Sequence, residues 1–262
     1  MRDYGRFDGF KVEKQGKIGI VTINQPESLN VFTVELHRQT EEIFQELAYE
    51  DSVNAIVLTG AGKAFSAGGD IGMMHEGVFA RLTRPEEPIR LVLNLLKIKQ
   101  PVIAALNGDA IGLGATIALF CDIVVASEKA RIGDPHVKVG LVAGDGGCVI
   151  WPLLVGMNRA KEMLMTGQML KAEEARNMGL VNHCVHPDQV MPKAMEIASS
   201  LADGPAKAIQ WTKMSLNRRL IQDVNLILPT STAFEYLSMY SEDHKEATAA
   251  FLEKRKPRFS GQ

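Results

Sequence analysis

Val53 to Gly72 reads VNAIVLTGAGKAFSAGGDIG, and its two halves point to the fold. Val53 to Thr59 is a short run of β-branched and apolar residues, the pattern of a buried strand, and it stops on Gly60-Ala61-Gly62. Ala64 to Gly72 then forms a glycine-rich loop. The same grammar returns at Pro101 to Leu106, a strand followed by Asn107-Gly108-Asp109-Ala110-Ile111-Gly112-Leu113-Gly114, which runs into a small-residue helix ending near Phe120. Upstream, Lys17 to Asn24 reads as a strand. Thr33 reads as the N-cap of a helix carrying Leu36, Ile43, Phe44 and Leu47 at helical spacing. Downstream, Asp122 to Ala126 and Ala130 to Gly133 are further short strands. Strand, turn, helix and strand thus recur, as in an α/β protein with a buried parallel sheet.

After Gly146 helices dominate. Leu180 to Val185 is a last short strand. Met191 to Ala202, Ala206 to Leu220, Val224 to Tyr240 and Glu242 to Lys254 read as four helices, and Gly204-Pro205 is the clearest boundary. Met73 to Pro88, with mixed charge and two prolines, reads as a mobile loop or short helix.

The 262 residues suffice for one large domain or two small ones. With 46% hydrophobic and 23% charged residues the composition is that of a globular chain, not a disordered one. A net charge of -2 gives no electrostatic reason to expect nucleic acid or an anionic membrane as partner. The three cysteines, Cys121, Cys148 and Cys184, are scattered and form neither a metal-type pair nor a disulfide framework. Met1 to Phe10 lacks a signal-peptide core, and no apolar run is long enough to span a bilayer. A soluble, cytoplasmic protein is expected.

A third loop adds chemistry. Asp134-Pro135-His136 is followed nine residues after the histidine by Asp145, within Gly144-Asp145-Gly146-Gly147. A loop of this length can bring His136 and Asp145 together, and a histidine oriented by a carboxylate is a suitable general base. Asp145 as a helix N-cap and His136 as a packing residue is the plainer alternative. The glycine loops match neither the dinucleotide fingerprint nor the phosphate loop of nucleotide-binding proteins. Bare backbone N–H groups in such loops can instead meet a ligand oxygen, and two aimed at one carbonyl make an oxyanion hole. No cluster has metal-ligand spacing, so no metal is expected.

Taken in order, F-S-A-G-G-D, P-V-I-A-A-L-N-G, C-D-I-V-V-A-S-E-K-A-R-I-G, T-G-Q, E-A-R-N-M-G-L-V-N and the closing F-L-E-K-R-K-P-R-F resemble the crotonase superfamily of enoyl-CoA hydratases and isomerases. The resemblance runs from about Val12 to Arg258. It implies a crotonase spiral of ββα turns over residues 1–203 and a C-terminal helical trimerisation region over 204–262. It also implies a homotrimer or dimer of trimers, and no cofactor beyond coenzyme A carried as part of the substrate. By position in the motifs, Gly69 and Leu113 would supply the oxyanion-hole amides, and Ala64 and Ala67 would lie along the CoA adenine. Thr116, Met73 and His75 would line the acyl pocket.

Where hydratases of this family carry two glutamates, this chain has Thr116 and His136. The His–Asp pair at nine-residue spacing, with V-I-W-P and M-T-G-Q, is similar to that of the 6-oxocamphor hydrolases, relatives that cleave a C–C bond between two ketones. By the same resemblance His37 would be their second histidine and Glu235 their glutamate. The implied activity is an enzyme that stabilises an enolate or oxyanion of an acyl-CoA or β-dicarbonyl substrate and activates water to hydrolyse a C–C or thioester bond. The alternatives are an enoyl-CoA hydratase or isomerase, and a non-catalytic or RNA-binding relative. The short basic tail Lys254, Arg255, Lys256 and Arg258 is the one feature that speaks for RNA, and trimer or CoA-phosphate contacts explain it more simply.

Overall fold

In the computed structural model, which describes residues 1–262, the strand read at Lys17 to Asn24 forms over Ile18–Ile23. It pairs antiparallel with one that pattern reading passes over, Phe10–Gln15. That first strand is an exposed edge with lysine and glutamate on its face, which hides the apolar alternation. The order begins β1 (Phe10–Gln15), β2 (Ile18–Ile23), α1 (Val34–Leu47), β3 (Ala55–Gly60), α2 (Ile71–His75), α3 (Val78–Leu82) and α4 (Glu86–Lys97). It continues with β4 (Val102–Leu106), β5 (Ala110–Ile111), α5 (Leu113–Phe120), β6 (Ile123–Ser127), β7 (Arg131–Gly133), α6 (Gly147–Val155) and α7 (Met157–Thr166). The last elements are β8 (Met169–Lys171), α8 (Ala172–Asn177), β9 (His183–Val185), α9 (Val190–Ala202), α10 (Ala206–Ser238) and α11 (Glu242–Leu252).

One sheet has the order β1-β2-β3-β4-β6-β9, parallel from β2 onward, and a small one has the order β5-β7-β8. The period of two sorts the large sheet's side chains onto two faces. Ile18, Ile20, Ala55, Val57, Ile103, Ala105 and Val125 face α9, which meets them with Val190, Ala194, Ala198 and Ala202. Three alanines on that helix let it approach closely. The opposite face, with Val21, Ile23, Ile56, Leu58, Ala104 and Leu106, joins the main core together with α1, α4 and α5.

Parallel pairing places the ends of β3 and β4 side by side, with Leu58 opposite Ala104 and Thr59 opposite Ala105. The two glycine loops therefore leave the same edge, where ligands of open parallel sheets bind. They are stitched together: Phe65 and Ser66 N–H both donate to the Asp109 carbonyl, and Ile111 N–H donates to the Ser66 carbonyl.

The C-terminal helices differ from the four expected. Ala206 to Ser238 is one helix of 33 residues, not two, and it runs through Pro229. Polar residues along it find partners in place. Asp223 is buried and pairs with Arg219 at 3.0 Å, Lys213 reaches Asp122 at 2.6 Å, and Asn217 donates to the Leu96 carbonyl. Gly204-Pro205 does mark a turn, yet Val224 and Leu228 of α10 belong to the main core. The segment expected to be a loop or short helix holds α2 and α3, with Asp70 capping the former through Met73 N–H.

Candidate active site

The stitched loops present two free amides. Gly69 N–H takes no backbone or side-chain acceptor. Leu113 opens α5, where helix geometry leaves its N–H unused, and no loop carbonyl takes it. Both residues line one small cavity of about 60 Å³, together with His37, His136, Asp145 and Glu235. The four candidate side chains thus come from α1, the turn after β7, the turn before α6, and α10.

His136 is at their centre. Its Nδ1 is hydrogen-bonded to Asp134. Its Nε2 lies 3.6 Å from Asp145 Oδ2 and 3.9 Å from Glu235 Oε1. The expectation that Asp145 orients the ring is corrected here. Asp134 holds the back of the imidazole, and Asp145 meets its front. Asp134 was visible in the sequence only as the residue two before the histidine. The local backbone serves this arrangement. A Cβ on Gly147 would strike Asp134 Oδ2, and one on Gly144 would strike Glu235. The gaps at Nε2 are too long for direct hydrogen bonds and short enough for one water to touch all three groups.

Burial alone would lower the His136 pKa, but the charges of Asp134 and then Asp145 hold it well above the ordinary value. Burial raises Asp145, with His136 opposing. Burial, reinforced by the Asp145 charge, pushes Glu235 up to about 8. Near pH 7 His136 therefore favours its charged form and Glu235 its neutral one. His37 is 7% exposed rather than solvated. Burial, with Arg90 adding, lowers its pKa to about 4, so it is neutral, and its Nδ1 has no partner.

Asp134, His136 and Asp145 have the composition of a metal site. Asp134, however, is hydrogen-bonded to Nδ1 while Asp145 approaches Nε2, so the two ring nitrogens are already divided between the carboxylates.

A larger cleft of about 490 Å³ shares Gly69, Met74 and His136 with the inner cavity and carries Arg131, Lys138 and Arg255. Ala67 lines it. Ala64 does not; it is buried, and its carbonyl accepts from Asn30 and Asn107 side chains. Of the expected acyl-pocket residues, Thr116 lies beneath the cavity and donates to Asp145 Oδ1 at 3.0 Å. His75 is turned to Thr248. Met74, not Met73, faces both spaces, because the five-residue α2 rotates its neighbour away.

A model of the enoyl-CoA hydratase/isomerase family matches residues 13–262. This chain belongs to that family. Among its curated relatives, the short-chain-enoyl-CoA hydratase of Clostridium acetobutylicum is 37% identical over 255 residues, covering 94% of this chain and 95% of the relative. An enoyl-CoA hydratase/isomerase from Mycobacterium paratuberculosis superimposes with a TM-score of 0.86 at 36% identity, over 92% of this chain and 97% of that one. A β-diketone hydrolase from the cyanobacterium Anabaena, bound to (S)-3-oxocyclohexyl acetic acid, gives 0.83 at 30% identity, over 90% and 96%. The fold is the crotonase fold, and the chain is an acyl-CoA enzyme of this family. The curated relatives' names speak for hydration more than for hydrolysis. No helix is long and apolar enough to cross a membrane.

Proposed function

We propose that this family member hydrolyses the C2–C3 bond of a β-dicarbonyl thioester, a 3-oxoacyl-CoA. One observation carries the reading: His136, Asp145, Glu235 and His37 gather at the cavity that Gly69 and Leu113 line, while the two positions of the hydratase glutamates hold a threonine and the histidine. The substrate joins both chemistries suggested by the sequence, a thioester for the amide pair and a second carbonyl for the water.

In this mechanism the thioester oxygen accepts from Gly69 and Leu113 N–H, worth about 3 kcal/mol each in a dry site. Asp145, made more basic by burial, takes a proton from the water as its oxygen attacks C3. Nε2–H of His136, held as imidazolium by Asp134, donates to the oxygen developing there. C2–C3 then breaks, its electron pair becoming the thioester enolate. Neutral Glu235 gives C2 a proton and regains one from the carboxylic acid product, and Asp145 releases its proton to solvent. Water and 3-oxoacyl-CoA thus yield a carboxylate, a proton and acetyl-CoA. In the outer cleft Arg131 and Arg255 are paired with Asp109 and Glu246, which leaves Lys138 as the free ammonium for the CoA phosphates.

Hydration of an enoyl-CoA is the second reading, and the 37% identity to a short-chain-enoyl-CoA hydratase favours it. There Asp145 and Glu235 would take over the two carboxylate roles around the same water. Acetoacetyl-CoA and crotonyl-CoA separate the two. The proposal expects acetate and acetyl-CoA from the first at about 10 per second, the ordinary enzyme scale, and negligible hydration of the second. The reverse pattern makes the chain a hydratase. We further propose a trimer or dimer of trimers, supported by the exposed Leu216, Leu226, Phe234 and Leu237 along α10.

A further inference from the structure

The inner cavity of about 60 Å³ holds about four to six water-sized groups, at the ~10–15 Å³ that each needs. Its far wall is tied shut. Tyr236 of α10 donates to Thr83 Oγ1 at 2.5 Å, and that hydroxyl donates to the Phe79 carbonyl at 2.7 Å. Tyr240, one turn on, donates to the Ala80 carbonyl at 3.3 Å. Tyr236, Thr83 and Phe79 all line the cavity, while the mouth is at Gly69, Met74 and His136. A chain entering past the amide pair therefore runs into the Tyr236 ring, which is anchored to the segment between α3 and α4.

We propose that Tyr236, held on Thr83, is the residue that limits the acyl group to a short chain of about four to six non-hydrogen atoms beyond the thioester carbonyl. This rests on the reading that the acyl part of a CoA thioester enters the inner cavity. Of the far-wall residues that line the cavity, Tyr236 is the one whose ring is held by a hydrogen bond.

The test uses the full-length protein and saturated thioesters, which bind without the reacting ketone. Affinities for CoA, acetyl-CoA, butyryl-CoA and octanoyl-CoA are measured by calorimetry. Wild type should bind octanoyl-CoA about tenfold or more weakly than butyryl-CoA. Tyr236→Ala should raise the ratio of octanoyl-CoA to acetyl-CoA affinity about tenfold. Thr83→Ala keeps the ring and removes its anchor, so it decides the matter should the first variant fail to fold; it should raise the same ratio about threefold. A wild type that binds CoA but shows no chain-length preference overturns the proposal alone, as do variants that keep the wild-type ratio. If wild type binds neither CoA nor its thioesters, the acyl-CoA reading falls and this inference falls with it.

Discussion

Three carboxylates surround His136, and each has its own task. Asp134→Asn preserves size but removes the charge that sustains the imidazolium, so the pH profile of kcat should move as well as its height. Asp145→Asn removes the base and should cost about 10² to 10⁴ in rate, in line with general base catalysis. If the Asp145 variant is fully active and only melts at lower temperature, Asp145 is a helix-start residue and no more. Glu235 sets the other limb. Its proton is lost as pH rises through about 8, so kcat should fall above that pH, and Glu235→Gln should abolish the limb along with most of the rate. A pH–rate profile flat to pH 9.5 in wild type contradicts the acid role. The sequence showed His136, Asp145, His37 and Glu235 through resemblance, because each stands at a recognisable offset. It did not show Asp134 as the orienting group, since Asp-Pro before a histidine reads equally well as a turn. Which carboxylate takes which ring nitrogen is decided by the path of the backbone around Gly147.

At the element scale, side-chain roles follow from how helices and turns are seated. Gly147, the first residue of α6, is where Asp134 needs room, so Gly147→Ala should keep the fold at a penalty of about 1–3 kcal/mol and lose most activity. Circular dichroism with a kinetic assay separates the two effects. α1 buries His37 in neutral form. Its folded pKa near 4 lies below the free value of about 6.5, so the stability it contributes is complete above pH 6.5 and is lost as pH falls through 4. The loss is on the order of 3 kcal/mol. In urea titrations the stability of wild type relative to His37→Leu should fall by that amount between pH 6.5 and 4, and an unchanged difference would show an exposed histidine. Strands β2, β3, β4 and β6 and the loops after β3 and β4 were legible because burial on both faces makes near-continuous apolar runs. Edge strand β1 and the unbroken α10 were not. Their residues answer to solvent in one case and to partners far along the chain in the other, as with Lys213 and Asp122.

For the whole molecule, the sheet edge sets two loops side by side, and α10 crosses from the core to close the space they open. A solution mass of three or six times that of the monomer is expected from sedimentation, and a stable monomer at micromolar concentration would refute the assembly proposal. In the proposed reaction water attacks the ketone carbon, not the thioester and not a double bond. The most direct measurement is mass spectrometry of the products of acetoacetyl-CoA turned over in ¹⁸O-water. One ¹⁸O is expected in acetate, formed together with unlabelled acetyl-CoA. Labelled acetoacetate with free CoA would mean thioester hydrolysis. Intact acetoacetyl-CoA, beside rapid conversion of crotonyl-CoA to a labelled 3-hydroxyacyl-CoA, would contradict the claim outright.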